Sequence, residues 1–354
     1  MRALIAVRPV VEVSPVERVA DPLLHHGDVE VGDGLLDLAV NVYAGPRPPW
    51  LETALLAGLD ASGAYPSATP AEVAIARHHR REPDQVLATA GAAEAFSLIA
   101  RSQPWRRPVV VHPQFTEPHA ALRQAGHAVH ELVLEHPFRL DPALVPEGSD
   151  LVMVGNPTNP TGVLHPAAAI RSLLRPGRTV VVDEAFMDAV PEETETLAGE
   201  DLPGLVVIRS LTKHWSIPGI RAGYVLGEPP ILRGLRALQV PWSVSSPAVA
   251  AMLACSTEEA RAESRRRALQ LASWRAELER GLRGLGIEVV PSTTSFVLAR
   301  VGVGVHRALR EAGIAVRRAD TFPGLGPRWG PSAGRPPEAT GRLVSALGDV
   351  LAGA

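Results

Sequence analysis

The segment that runs from Ser210 to Tyr224 carries the residues with the clearest chemical potential. Lys213 follows the apolar run 205–208, and a lysine just past a buried strand loses hydration, which lowers the pKa of its amine and makes it a nucleophile towards carbonyl groups. Ser210 supplies a hydroxyl, and Arg221 follows a Pro-Gly turn that can fold the chain back. Together these groups could hold an aldehyde and a phosphate at once. The alternative, a surface lysine and arginine near a loop, explains the complete segment less well.

Two further polar residues follow apolar runs. Asn159 lies in the segment 156–162, where two Asn-Pro steps predict a rigid turn that can present an amide to a ligand. An ordinary proline turn is the alternative. Asp183 ends the apolar run 180–182, and a carboxylate placed there needs a partner. A protonated ring nitrogen would serve, and local backbone donors are the alternative.

A glycine turn at Gly91 precedes a helix-type segment that begins near Ala92. The free N–H groups at the start of a helix form an anion site, which would suit a phosphate. This pattern is weak by itself because many turns between strands and helices share it.

Strand-type and helix-type segments alternate through the first two thirds of the chain. The short β-branched runs are typical of strands buried on both faces of a parallel sheet, and helix-type stretches separate them. The sequence therefore predicts an α/β fold with right-handed crossovers, in which ligands bind outside the carboxyl ends of the strands. The predicted strands lie at 109–111, 151–154, 180–182 and 205–208, and the predicted helices at 71–81, 92–101 and 166–174.

The pattern changes after about residue 229. A long charged helix is predicted over 257–284, followed by short strands and helices that indicate a smaller α+β domain; these are strands at 287–290, 295–299 and 314–316, and helices at 305–311 and 338–351. We predict an N-terminal segment 1–40, a large domain 41–240 and a small C-terminal domain 241–354.

Composition excludes several classes of function. The 354 residues carry 35 Lys and Arg against 38 Asp and Glu, so the net charge of −3 gives no electrostatic footprint for nucleic acid or a membrane surface. The single Cys255 excludes an internal disulfide and a cysteine-rich metal scaffold, and we expect no metal. The apolar run between Arg2 and Arg8 is too short for a signal peptide, and no stretch is long enough to span a membrane, so we expect a cytoplasmic protein. The adjacent pairs His25–His26 and His78–His79 are predicted to be solvated.

Lys213, Arg221, Asn159 and Asp183, in this order and context, resemble the pyridoxal-phosphate (PLP) enzymes of the aminotransferase class I/II family. The resemblance runs from about Asn41 to the C-terminal helix. It is strongest to histidinol-phosphate aminotransferases and to the related threonine-phosphate decarboxylases of cobalamin synthesis. It implies the aspartate-aminotransferase fold, with a large, mostly parallel PLP domain and a smaller α+β domain, and pyridoxal 5'-phosphate as cofactor.

The resemblance also implies roles for individual residues. Lys213 would form the internal Schiff base and then carry a proton at the substrate α-carbon. Asp183 would pair with the pyridine N–H, Asn159 would bind the ring 3-hydroxyl, and Phe115 would stack on the ring. The implied phosphate ligands are the backbone amides of Ala92 and Ala93 with Ser210 and Arg221, and Thr212 would assist them.

Two more residues match family positions around the substrate. Tyr65 matches a tyrosine that reaches the cofactor phosphate of the neighbouring subunit, which implies a homodimer. The alternative for Tyr65 is a half-buried aromatic in a loop. Asn41 matches an asparagine on the substrate side, and the substrate would be a small amino acid.

The chain departs from the family pattern at two places. Phe186 stands where many aminotransferases have tyrosine, and this form resembles the decarboxylases, as does the loop 321–326. The family arginine that grips the substrate carboxylate falls on Pro331, within a run where glycine and proline replace strand residues. Arg335 or Arg328 could stand in, and we favour Arg335.

These departures order the candidate functions. Decarboxylation of threonine phosphate in cobalamin synthesis comes first, and transamination of a histidinol-phosphate-like substrate is the alternative. Both reactions use one cofactor site, because the outcome depends on which bond at the α-carbon stands perpendicular to the ring. A second alternative is a module that binds PLP without turnover, which the altered run near Pro331 motivates.

Overall fold

The computed structural model describes residues 21–353. Its strands, numbered in chain order, are β1 (Leu36–Asp37), β2 (Val86–Thr89), β3 (Pro108–His112), β4 (His130–Val133), β5 (Leu151–Gly155), β6 (Thr179–Asp183), β7 (Leu205–Ser210), β8 (Gly223–Gly227), β9 (Glu288–Val289), β10 (Phe296–Arg300), β11 (Ile314–Ala315) and β12 (Gly330–Ala333). Its α-helices are α1 (Pro49–Asp60), α2 (Thr69–His79), α3 (Ala92–Ser102), α4 (Glu117–Gln124), α5 (Ala167–Arg171), α6 (Pro229–Leu238), α7 (Ser246–Cys255), α8 (Glu258–Gly284), α9 (Val305–Glu311) and α10 (Pro337–Ala352).

A seven-stranded sheet forms the centre of the large domain. Its strand order is β2-β8-β7-β6-β5-β3-β4, and β8 is antiparallel to both of its neighbours while the other pairs are parallel. Every residue of β3, β5, β7 and β8 is buried, which explains why these strands read as continuous apolar runs. The predicted α/β fold with a large, mostly parallel sheet is confirmed.

Helices cover both faces of this sheet. Alternate strand residues such as Val152 and Val154 pack into one apolar cluster with α1, α2 and α7. Leu151 and Met153 point the other way and pack with α3, α4 and α6. Because α7 belongs to the first cluster, the predicted boundary at 240/241 falls ahead of a helix that packs with the large sheet.

The small domain is built around the long helix α8. The three-stranded sheet β12-β10-β9 and the helices α9 and α10 share an apolar cluster with α8. The N-terminal strand β1 pairs in parallel with β11, so the segment that precedes the large domain is anchored to the small one.

Two local predictions need correction. Residues 330–333 form β12, which pairs antiparallel with β10, although glycine and proline were expected to disrupt this run. β12 is an edge strand, where a missing backbone donor is tolerated. The helix predicted over 166–174 is limited to α5, which ends at Arg171 ahead of the turn at Pro176–Gly177.

Among the helices of residues 21–353, none combines the length and the apolar character that a bilayer crossing requires. The run between Arg2 and Arg8, predicted to be too short for a signal peptide, lies outside the described residues.

Candidate active site

Strand register brings three of the predicted site residues to one edge of the sheet. Gly155 pairs with Asp183, and Asp183 pairs with Ile208 on the next strand. The loops after β5 and β7 carry Asn159 and Lys213, so both lie at the carboxyl edge beside Asp183. This is the edge where ligands bind in sheets of this kind.

The antiparallel strand β8 brings a second group to the same edge. Its first residue, Gly223, pairs with Ser210 of β7 and with the last residue of β2. Arg221 therefore lies next to Gly91 at the start of α3, and a Cβ atom on Gly91 would stand 2.7 Å from Arg221 Nη2. The guanidinium and the helix N-terminus thus form one cationic cradle.

The cradle has the donors that a phosphate group requires. The first N–H groups of α3, on Ala92 and Ala93, have no partner within the helix. The hydroxyls of Ser210 and Thr212 lie 2.8 Å apart, and Lys213 Nζ donates to Thr212 Oγ1 at 3.3 Å. The structure therefore brings together all five residues predicted for the phosphate, next to the lysine.

Lys213 has the electrostatic setting of a nucleophilic amine. Burial and the charge of Arg221 lower the pKa of this amine, and the carboxylates of Asp183 and Asp28 oppose the shift. A lower pKa raises the share of the neutral amine, which is the form that attacks an aldehyde. Lys213 is also the only lysine among the 354 residues. All the other residues counted as Lys or Arg are arginines, and a guanidinium cannot serve as a free amine.

Asp183 fits a cationic ring nitrogen. Burial raises the pKa of its carboxyl to about 6, and the Ala185 N–H bond and the charge of Lys213 oppose this. Its Oδ1 accepts from Ala185 N at 3.0 Å. Within residues 21–353, no Lys, Arg or His nitrogen lies within 4.0 Å of this carboxylate, so a protonated ring would supply the missing ion pair.

Asn159 and Phe115 follow β5 and β3, on the side of Asp183 away from Arg221. Asn41 Nδ2 donates to Asn159 Oδ1 at 3.5 Å, so the predicted ring-binding and substrate-side asparagines are neighbours. Phe115 follows β3 and is half-buried, 6.4 Å from Phe96 and 5.6 Å from His26 between ring centroids. Stacking of Phe115 on a cofactor ring stays a prediction.

Tyr65 lies at the protein surface. Its side chain is 78% exposed and stacks on Trp242, with 4.3 Å between the ring centroids. The alternative of a half-buried loop aromatic is wrong. A contribution of Tyr65 to a neighbouring subunit stays a prediction.

Arg335 is buried against the backbone of the N-terminal segment. Its Nε, Nη1 and Nη2 donate to the carbonyls of Asp37, Val42 and Val40, at 3.0, 2.7 and 2.6 Å. All three nitrogens are thus engaged by the segment that carries Asn41. These contacts favour a role in holding that segment over the predicted grip on a substrate carboxylate.

Tertiary contacts hold the histidines of the two adjacent pairs. His79 is buried and bonds Tyr224, and His26, whose side chain is 33% exposed, bonds Glu117 and lies against Phe115, so the prediction of solvated histidines is wrong. These contacts come from segments distant in sequence, which the sequence pattern does not contain.

Arg317 is the most informative residue that was missed. Only 8% of it is exposed, it lies over the Phe322 ring at 4.7 Å, and it donates to the His25 carbonyl. Within residues 21–353, no carboxylate oxygen approaches its guanidinium within 4.0 Å. Burial lowers its pKa to about 10, so it remains cationic at neutral pH. Its place directly after the predicted strand 314–316 was the available signal.

Comparison with known proteins gives a consistent result. Residues 33–347 match the model of the family "Aminotransferase class I and II". A histidinol-phosphate aminotransferase of Mycobacterium tuberculosis is 46% identical over 317 residues, 88% of this chain and 87% of the relative. A threonine-phosphate decarboxylase of Salmonella typhimurium is 30% identical over 344 residues, 91% of this chain and 92% of the relative.

Solved structures share the fold. The histidinol-phosphate aminotransferase from Clostridium acetobutylicum superposes with a TM-score of 0.84 at 24% identity, covering 90% of this chain and all of that one. The enzyme of the same name from Sinorhizobium meliloti, in complex with pyridoxal-5'-phosphate, gives 0.82 at 20% identity, covering 96% and 99%.

A methyl group on Gly91 tests the cradle. We expect Gly91→Ala to push the Arg221 guanidinium away and weaken PLP binding by at least about tenfold, the loss of roughly one charge-assisted hydrogen bond. Gly177→Ala is the matched control, because Gly177 has the same φ of 78° with nothing within 4 Å of its added Cβ. Equal PLP dissociation constants for the two variants in a spectral titration would contradict the assignment.

Asp183→Asn tests the buried carboxylate through pH. In cofactor-free protein, a carboxyl with its pKa raised from 3.8 to about 6 destabilises the fold above pH 6 and not below pH 4. We therefore expect the free energy of unfolding of the variant to be about 3 kcal/mol higher at pH 7.5, and to differ by no more than about 0.5 kcal/mol at pH 4. With PLP added, the order should reverse.

Urea unfolding measures these differences, with exposed Asp60→Asn as control. An increase in the free energy of unfolding that is as large at pH 4 as at pH 7.5, or no increase at pH 7.5, would show that Asp183 is not a buried carboxyl with a raised pKa.

Proposed function

We propose that this chain, which belongs to the class I and II aminotransferases and is a PLP-dependent enzyme with a small-molecule substrate, acts on a small phosphorylated amine. When bound, PLP supplies an aldehyde that takes up a primary amine and a cationic ring that withdraws electrons from the carbon next to it. The cradle of Arg221 and the α3 N-terminus would hold the cofactor phosphate, and Asp183 would hold the ring nitrogen.

Lys213 would perform the proton transfer. Its amine would hold the cofactor aldehyde until a substrate amine replaces it. The lowered pKa of the Lys213 amine favours its neutral form, which would accept a proton from the substrate α-carbon and return it elsewhere. Asn159 would fix the ring plane through its oxygen, and Phe115 would cover one face of the ring.

Arg317 carries the proposal of a phosphorylated substrate. A buried guanidinium without a carboxylate partner is costly unless an anion meets it. Arg317 bonds the carbonyl of His25, next to the His26 ring that lies against Phe115, and Asp28 raises the pKa of both Arg317 and Lys213. These contacts support a place for Arg317 beside the same site. The cofactor phosphate would bind at Arg221, which would leave Arg317 for a second phosphate, that of the substrate.

Transamination of a histidinol-phosphate-like substrate is the reaction we place first. The 46% identity to relatives of that name over 88% of the chain reverses the order that Phe186 and the loop 321–326 had suggested. A module that binds PLP without turnover is not favoured, since the family and its relatives are PLP-dependent enzymes and Lys213, Asp183 and Arg221 are all present.

Decarboxylation of threonine phosphate stays as the second candidate. Phe186 is buried, with its ring 4.9 Å from that of Phe296. Phenylalanine has no hydroxyl that could assist Asn159. This is the form of the motif that resembles the decarboxylases, and a 30% identical relative bears that name.

We also propose a homodimer. The surface around Tyr65 and Trp242 exposes further apolar side chains on α1 and the loop before α7, namely Leu56, Leu59 and Val240, each at least 59% exposed. Such a surface is unusual for a monomer. A mass of one chain in sedimentation equilibrium would contradict the dimer.

Product analysis distinguishes the two reactions. Purified enzyme with PLP is given histidinol phosphate with 2-oxoglutarate, or carboxyl-labelled threonine phosphate alone. We expect glutamate from the first mixture and no labelled carbon dioxide from the second. Labelled carbon dioxide without glutamate would establish decarboxylation instead.

Arg317→Met tests the phosphate contact whichever reaction is found. We expect the KM for the phosphorylated substrate to rise about 10–100-fold, the loss of a charge-assisted fork, with little change for the unphosphorylated analogue. Arg318→Met is the control, because that arginine pairs with Asp320 at 2.7 Å. An equal loss with both forms of the substrate would remove the phosphate from the proposal.

A further inference from the structure

Arg267 of α8 is completely buried and all of its nitrogen atoms are hydrogen-bonded. Nε donates to Glu263 at 2.8 Å, Nη1 to the His214 carbonyl at 2.7 Å, and Nη2 to the Pro46 carbonyl at 2.8 Å. Its guanidinium also lies over the Tyr43 ring at 4.2 Å. One side chain of the small-domain helix therefore contacts two segments that border the active site.

Those two segments are also bonded to each other. Tyr43 N donates to the carbonyl of Lys213 at 3.0 Å, and Ser216 Oγ donates to the carbonyl of Tyr43 at 2.7 Å. Arg267 bridges the pair, since it binds the carbonyl of the residue after Lys213 and that of Pro46. The backbone from Lys213 to Ser216 is thus fixed against residues 43–46.

The contacts require the shape of a guanidinium. Two donors on separate nitrogens reach two carbonyls while the flat face remains on an aromatic ring. The ammonium of a lysine would keep the charge but lacks the planar fork. Glutamine is shorter and carries one amide nitrogen in place of the two, so it would leave at least one of the carbonyls without a donor.

We propose that Arg267 is a positioning residue, which clamps the Lys213 loop onto segment 43–46 and so sets the direction from which the lysine amine meets the cofactor. The role rests on attachment of PLP to Lys213 and not on the identity of the substrate. It extends the site to a residue of α8 that touches neither cofactor nor reacting atoms.

The neighbouring arginine provides a matched control. Arg266 shares the partner Glu263 but lies on the exposed side of α8. Arg267→Gln and Arg266→Gln therefore remove the same charge from adjacent positions. Only the first removes the donors to the Lys213 loop.

The readout is the visible circular dichroism of bound PLP, which reports the orientation of the cofactor in the site. For Arg267→Gln we expect at least a twofold loss of this signal per bound PLP, and a tenfold lower kcat with KM changed less than twofold. Arg267→Lys should recover part of the signal, and Arg266→Gln should match the unmodified chain.

Arg267 has only a structural role if Arg267→Gln melts earlier but keeps its dichroism and kcat. Should that variant fail to fold, Arg267→Lys and Ser216→Ala decide, because both weaken the same clamp; unchanged dichroism in both would overturn the proposal. The clamp can also fail while the proposed function holds. If Lys213→Ala abolishes PLP attachment and Arg267→Gln keeps its dichroism, PLP is attached to Lys213 and only the clamp is refuted.

Discussion

The parallel ladder of β5, β6 and β7 is the constraint on which the site depends. Its register pairs Gly155 with Asp183 and Asp183 with Ile208, and a slip by one residue would turn each side chain to the opposite face. Because β8 and β2 belong to the same sheet, the candidate site residues follow one another along its edge in the order of the strands that carry them. The cationic cradle of Arg221 and the α3 N-terminus lies at the β2–β8–β7 end, Asp183 follows on β6, and Asn159 and Phe115 lie towards β5 and β3.

Buried arginines keep this edge in place. Arg209, at the end of β7, is 1% exposed and bonds Glu184, Asp188 and Glu193 beneath the lysine loop. Pairing of this kind is necessary because an uncompensated buried charge costs several kcal/mol. Arg335 holds the N-terminal segment through backbone carbonyls. Arg209 therefore stabilises the end of β7 ahead of the Lys213 loop, and Arg335 stabilises the segment that carries Asn41.

The central strands and the placement of Asn159, Asp183 and Lys213 at the carboxyl edge of the sheet could be predicted from sequence, because each is encoded in a short segment: an apolar run followed by a polar turn. Lys213 carried an additional signal as the single lysine of the chain. The roles of Arg335, His26 and Arg317 could not be predicted, since each depends on contacts between segments far apart in sequence. β12 forms despite Gly330 and Pro331 because its partner β10 supplies the pairing.

The central claim is that PLP is attached to the amine of Lys213. Borohydride reduction of the enzyme with PLP, followed by proteolysis and mass spectrometry of the peptides, tests it directly. With one lysine in the chain, the side-chain candidate is unique, and the N-terminal amine is the competing site. The account predicts one stable pyridoxyl group per chain, on the peptide that contains Lys213. An adduct confined to the N-terminal amine, or no adduct, would contradict it.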